Sequence, residues 1–195
     1  MSGSIEAVIG NYALFIDTLV SQVTAAGVDV RGLEMDHICV RVEDEAAYQT
    51  MRASLVPALG QTVHECIIGG RMISTIKLHT PIQHAGYSVT CIEVPAPKTG
   101  RPYKAGLEHG EFVIGGAGRL SESCTEQALL TEFMAKYPGI QFDTRALHKE
   151  LNADVGLSFD AAGEKVSAKF HIRPLYEVVD IEMERGLQLE AHAAQ

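Results

Sequence analysis

Three side chains with the donor chemistry of a metal centre recur at comparable places in this sequence. His37 and His109 each follow an acid at the head of an apolar run, and Glu93 stands near the end of another. Two neutral imidazoles and one carboxylate suit Fe(II), Zn(II), Mn(II) or Ni(II) and leave coordination positions open. His171, in the run KVSAKFHIRP, is a candidate fourth ligand. Glu111 shares a strand face with His109 and is a candidate general base, while Arg71 and Lys77 could hold a carboxylate or phosphate of a substrate. Against this stands a plainer reading, because antiparallel sheets commonly turn one face to water and such a face carries His, Lys and Glu without binding anything.

These residues need strands to position them, and the hydrophobic pattern supplies strands. From Met35 the period is two: Asp36, Ile38, Val40 and Val42 fall on one side, and His37, Cys39 and Arg41 on the other. QTVHECII, RMISTIKLHT and YSVTCIEVP read as three more strands, the second with Arg71, Thr75, Lys77 and His79 on its polar side. A helix over Glu43 to Leu59, with Gly60 as its stop, separates the first strand from these. The second half repeats the order: strand LEHGEFVIGG, helix CTEQALLTEFMAKYPG, a less regular stretch around Phe142 to Leu151, then VGLSFD and KVSAKFHIRP. The acid-His pairs Asp36-His37 and Glu108-His109 open the two halves, and Ile92-Glu93-Val94-Pro95 matches Phe170-His171-Ile172-Arg173-Pro174 at their ends. An internal duplication is the economical explanation.

The expected organisation is therefore α+β: an N-terminal helical segment over 1–34, βαβββ modules over 35–100 and 101–174 forming a curled antiparallel mixed sheet around a central cavity, and a C-terminal helix and tail over 175–195. Within a single domain of 195 residues, 46% hydrophobic and 21% charged, a core can form without disulfides. The formal net charge of −9 offers no footprint for a phosphate backbone, so nucleic acid is not an expected partner. No Lys or Arg precedes Arg31 and Asp17 interrupts the apolar N-terminus, which argues against a signal peptide or membrane span and for a cytoplasmic protein. Cys39, Cys66, Cys91 and Cys124 show no CxxC spacing and read as reduced thiols. His64, His84, His148 and His192 lack a supporting context and are expected on surfaces or loops. No phosphate loop, GxGxxG turn, GxSxG elbow or HExxH helix is present, so nucleotide hydrolysis, dinucleotide redox chemistry and serine hydrolysis have no local motif.

The blocks DHICVRV, GGRMISTIKLHTPI, IEVPAP, LEHGEFVI and KFHIRPLYEVV, in this order, resemble the YecM family of proposed metal-binding proteins. That family is in turn similar to the vicinal oxygen chelate superfamily of glyoxalases, extradiol dioxygenases, epimerases and antibiotic-resistance proteins. The resemblance implies one metal centre with ligands from the first and last strands of each module, here His37, Glu93, His109 and His171. The last position departs from the superfamily, which often has Glu there; Glu177 lies beyond it in an expected helix. An enzyme is implied that acts on a small oxygenated, anionic substrate by lyase, isomerase or dioxygenase chemistry. A non-catalytic protein that binds or sequesters a small ligand or metal is the alternative, and an interaction module with solvated histidines a third. Both modules lie in one chain, so a monomer suffices for the site, with a homodimer left open.

Overall fold

The computed structural model describes residues 4–161 and 163–185. Ser4 and Asn11 accept main-chain N–H groups of Ala7 and Leu14, starting α1 (Ile5–Ile9) and α2 (Tyr12–Ala25). Asp44 and Thr125 cap α3 (Glu45–Leu55) and α4 (Glu126–Ala135) in the same way. The strands are β1 (Glu34–Arg41), β2 (Gly60–Ile68), β3 (Arg71–His84), β4 (Tyr87–Pro95), β5 (Gly106–Val113), β6 (Asp154–Ala161) and β7 (Glu164–His171), and α5 (Leu175–Glu184) follows. Gly60, expected as a helix stop, begins β2, where a β-carbon would lie 2.5 Å from the Lys77 carbonyl oxygen. The expected tail beyond 185, with His192, lies outside the described residues.

All seven strands form one open mixed sheet in the order β2-β3-β4-β1-β5-β7-β6. Each half places its last strand parallel to its first, β4 beside β1 and β7 beside β5, and the halves join through the antiparallel β1-β5 pair. The second half is one strand shorter than its counterpart. Where the equivalent of β2 would pair with β6, the chain makes an isolated bridge between Asp143 and Gly156. The residues before it are aromatic and turn-forming and lack the period-two run that a strand needs.

One face of the sheet is apolar and covered by α2, α3 and α4. Phe112 and Phe170 stack across β5 and β7 at 5.7 Å, and Phe133 of α4 packs 5.1 Å from Phe170. The other face carries the polar side chains, and α5 crosses it, from a main-chain contact of Leu175 with Asp36 to contacts of Glu182 with His64 and Cys66. Among the described residues no helix is long and apolar enough to cross a membrane.

Gly110 sets how closely α2 approaches the sheet, because a β-carbon there would sit 2.8 Å from Leu19 Cδ2 in a fully buried setting. Gly110→Ala is expected to destabilise the fold by about 1–3 kcal/mol, the usual cost of overpacking. Urea unfolding checks this, and an unchanged midpoint would mean that α2 has room to move.

Candidate metal centre

Two β-bulges build the polar face. Met35 pairs with Phe112 and His37 with Glu111, which leaves Asp36 as an extra residue in β1. Cys39 pairs with His109 and Val40 with Leu107, which leaves Glu108 extra in β5. Strict alternation puts Asp36 beside Ile38 on the apolar side, and the first bulge corrects that. Met35 and Ile38 both lie near Gly110 on the apolar face, while Asp36 and His37 turn together to the polar one. The acid-His pairs noted in the sequence are thus the bulge positions of the two halves, related by the symmetry of the β1-β5 ladder.

Asp36 is buried and its two oxygens do different things. Oδ1 accepts from His37 Nδ1 at 2.8 Å, and Oδ2 accepts the N–H of Leu175 at 2.7 Å, at the start of α5, where Pro174 has no capping side chain. Burial alone would raise its pKa, but His37 and His171 outweigh burial and hold the carboxyl below the usual range.

His37 and His171 share a hydrogen-bond logic. His171 Nδ1 donates to the Arg173 carbonyl at 2.7 Å, and with His37 Nδ1 bound to Asp36 each ring keeps only Nε2 available. Both Nε2 atoms are buried without a hydrogen-bond partner. His37 Nε2 faces Glu111 Oε1 at 3.4 Å and Glu93 Oε2 at 3.7 Å; His171 Nε2 faces Asp36 Oδ1 at 3.5 Å and Glu111 Oε2 at 3.7 Å. Burial would depress the His37 pKa, yet Glu111, Asp36 and Glu93 together raise it well above the ordinary imidazole value. His171 is raised in the same direction, chiefly by Asp36 against burial.

The remaining centre is organised by a lysine that sequence reasoning did not single out. Lys169 donates to Glu111 Oε1 and lies 3.0 Å from His109 Nε2. Burial would raise the Glu111 pKa, but Lys169 and His37 hold it well below the carboxylate range. Burial and then Lys169 push His109 down to about 3, so it is a neutral ring accepting from an ammonium. The strand registers explain the placement. Cys39 pairs with Glu93 and, in the other half, Glu111 pairs with Lys169, so Lys169 is the counterpart of Glu93, two residues before the His171 that the sequence match selects.

The structure therefore brings donors of His37, Glu93 and Glu111 within 4.8 Å of one another, and likewise those of Asp36, His37 and His171. His109 groups instead with Cys39 and Glu108. Arg71 and Lys77 stand six residues apart on β3, about 20 Å along a strand, and do not converge. Lys77 is exposed and, with Asp36, Thr75, Cys91 and Tyr176, lines a cavity of about 440 Å³ beneath α5. Arg71 lies 5.9 Å from the centre of the Tyr103 ring, with Arg41 over the same ring at 5.5 Å. Its Nε is buried without a partner, whereas Arg41 pairs with Glu108. A second cavity of about 410 Å³ joins Arg41 and Glu108 to His109 and Lys169. Of the histidines expected on surfaces or loops, His148 is exposed and His84 bonds Asp17 at 2.8 Å, but His64 is buried on β2. Its position two residues before buried Cys66, on one strand face, was the available signal.

The family model described as YecM protein matches residues 4–182. Protein YecM of Escherichia coli (strain K12) is 28% identical over 165 residues, covering 85% of this chain and 87% of that protein. A solved structure described as Protein EC4020 superposes with a TM-score of 0.64 at 26% identity over 91% of both chains. A methylmalonyl-CoA epimerase structure aligns more loosely, with a TM-score of 0.43 and 11% identity over 71% of this chain and 95% of its own.

The raised His37 pKa fixes the sign of a pH effect in the metal-free protein. Its folded value lies above the unfolded one, so its stabilising contribution is fully present below about pH 6.5 and is lost as pH rises through the folded value. In chelator, urea midpoints should therefore fall on the alkaline side, and His37→Gln should flatten that limb. An identical limb in the variant would remove His37 as its source.

Proposed function

This chain belongs to the YecM protein family, and from that premise we propose that its polar face holds one divalent cation between His37, His171, Glu93 and Glu111. The cation would be presented to a small oxygenated, anionic substrate. The observation carrying this reading is the pair of buried, unpartnered Nε2 atoms on His37 and His171, both directed at the Glu111 carboxylate. Imidazole nitrogens and carboxylate oxygens without sulfur fit Fe(II), Mn(II), Zn(II) or Ni(II). When bound, such a cation supplies Lewis-acid stabilisation of charge developing on vicinal oxygens of a substrate.

The other residues have roles that follow from their contacts. Asp36 holds the His37 ring in the tautomer that leaves Nε2 as the donor, an arrangement typical of ligating histidines. Lys169 keeps Glu111 ionised, and a carboxylate held so low is a weak proton acceptor. In this reading Glu111 serves as a ligand in preference to the general base expected from its strand position. His109 serves through its hydrogen bond to Lys169, since its Nε2 is already engaged. Glu93 and Lys169 retain the solvent exposure that His37, His171 and Glu111 lack, so a substrate reaches the centre from their side. Arg71, a half-buried guanidinium with no carboxylate paired to it among the described residues, would hold an anionic group of that substrate. Lys77 faces the cavity beneath α5 and would meet a longer ligand there.

Metal analysis after loading with Mn(II) or Zn(II) tests the ligand set. His37→Ala and His171→Ala should lose the stoichiometric ion, and His109→Ala should retain it; full retention in His37→Ala would end the proposal. Because a cation replaces the proton favoured on His37, binding near neutral pH should also release protons. Calorimetry in buffers of different ionisation enthalpy measures that release, and its absence would contradict the role given to His37.

A further inference from the structure

Outside this centre, β2 and α5 bring together an imidazole, a thiol and a carboxylate. His64 and Cys66 lie two residues apart on β2, so both point to the polar face, and Glu182 reaches them from the last turn of α5. His64 Nε2 is 2.8 Å from Glu182 Oε2, Cys66 Sγ is 4.0 Å from the same oxygen, and all three donors lie within 4.8 Å of one another. We propose that His64, Cys66 and Glu182 form a second cation site, for a thiophilic divalent ion of the Zn(II) class, which pins α5 to the edge strand β2.

Three features support the site. His64 is 5% exposed, and its Nε2 is buried without hydrogen-bond geometry toward any partner although a carboxylate oxygen stands close to it. An ion pair with Glu182 accounts for the His64 ring and a long S–H···O contact of 4.0 Å for the thiol, but both converge on one carboxylate oxygen, so a single ion placed there would meet all three donors. The donor set is complete in kind: Cys, His and Glu are all zinc ligands, and three of them leave a fourth position for water. Its dimensions also fit, since zinc–ligand bonds of about 2.0–2.3 Å put tetrahedral donors roughly 3.4–3.6 Å apart, within small side-chain shifts of the present spacing. Glu182 keeps 16% side-chain exposure, which gives an ion a route in.

The site differs from the His37 centre in having sulfur, and that difference is the test. Co(II) is added to the full chain after chelator treatment, and thiolate-to-cobalt charge-transfer absorption is followed. The wild type should show the band, His37→Ala should keep it, and Cys66→Ser should abolish it. Cys39→Ser, which removes the thiol near His109, should leave it in place. Circular dichroism establishes that Cys66→Ser is folded; should it not be, Glu182→Gln provides the second reading, with the band's titration midpoint weakened by about tenfold or more. Absence of the band in wild type, its survival in folded Cys66→Ser, or an unchanged midpoint in Glu182→Gln would each overturn the proposal.

Discussion

The buried carboxylate of Asp36 connects elements that the chain separates by 139 residues. One oxygen fixes the His37 ring and the other accepts the first N–H of α5, so the orientation of that imidazole and the docking of the C-terminal helix depend on the same group. The bulge makes this possible. Without the extra residue in β1, Asp36 would point among Met35, Ile38 and Leu19, where a charge without partners is costly. With it, two consecutive polar side chains leave the strand on one side, an arrangement that a regular pleat cannot give.

The charge balance around Asp36 explains the raised imidazoles. Asp36, Glu93 and Glu111 surround His37, and the ammonium of Lys169 is the fixed positive charge among them. Negative charge is left over, and it favours the protonated forms of His37 and His171 over their neutral ones. A dication at the same place would meet the same carboxylates while drawing on nitrogen lone pairs that otherwise carry those protons. Proton and cation would thus compete for one electrostatic need, and the fold is compatible with either because Asp36 and Glu111 are held below the usual carboxylate range.

Much of the sheet is legible in the sequence because its two faces differ in polarity and period two survives along most strands. β1, β3, β4 and β7 follow their period-two runs to within a few residues. The errors arise where alternation breaks or where a partner lies far away. Asp36 is misplaced because a bulge is a property of two paired strands, and one strand's pattern does not contain it. Lys169 falls on the polar side of its strand by period two, but its role is not legible there because it depends on the register of β7 against β5, which places it beside Glu111 and His109. The spacing of His64 to Cys66 hints at its burial, but its partner is set by α5 folding back over β2, a contact between positions 118 residues apart that no local spacing encodes.

The two halves share a ladder but differ in charge. At matching places in the parallel pairs one half has Cys39 beside Glu93 and the other Glu111 beside Lys169. A symmetric pair of carboxylates at Glu93 and its counterpart would leave the centre dependent on a cation from solution to offset them. With lysine at the counterpart, Glu111 is held ionised by a neighbouring ammonium and His109 is held neutral, while Glu93 faces the His37 ring. The two halves therefore supply a scaffold with two equivalent corners, and in the proposed reading the ammonium at one of them leaves an exogenous cation to be held on the His37 side.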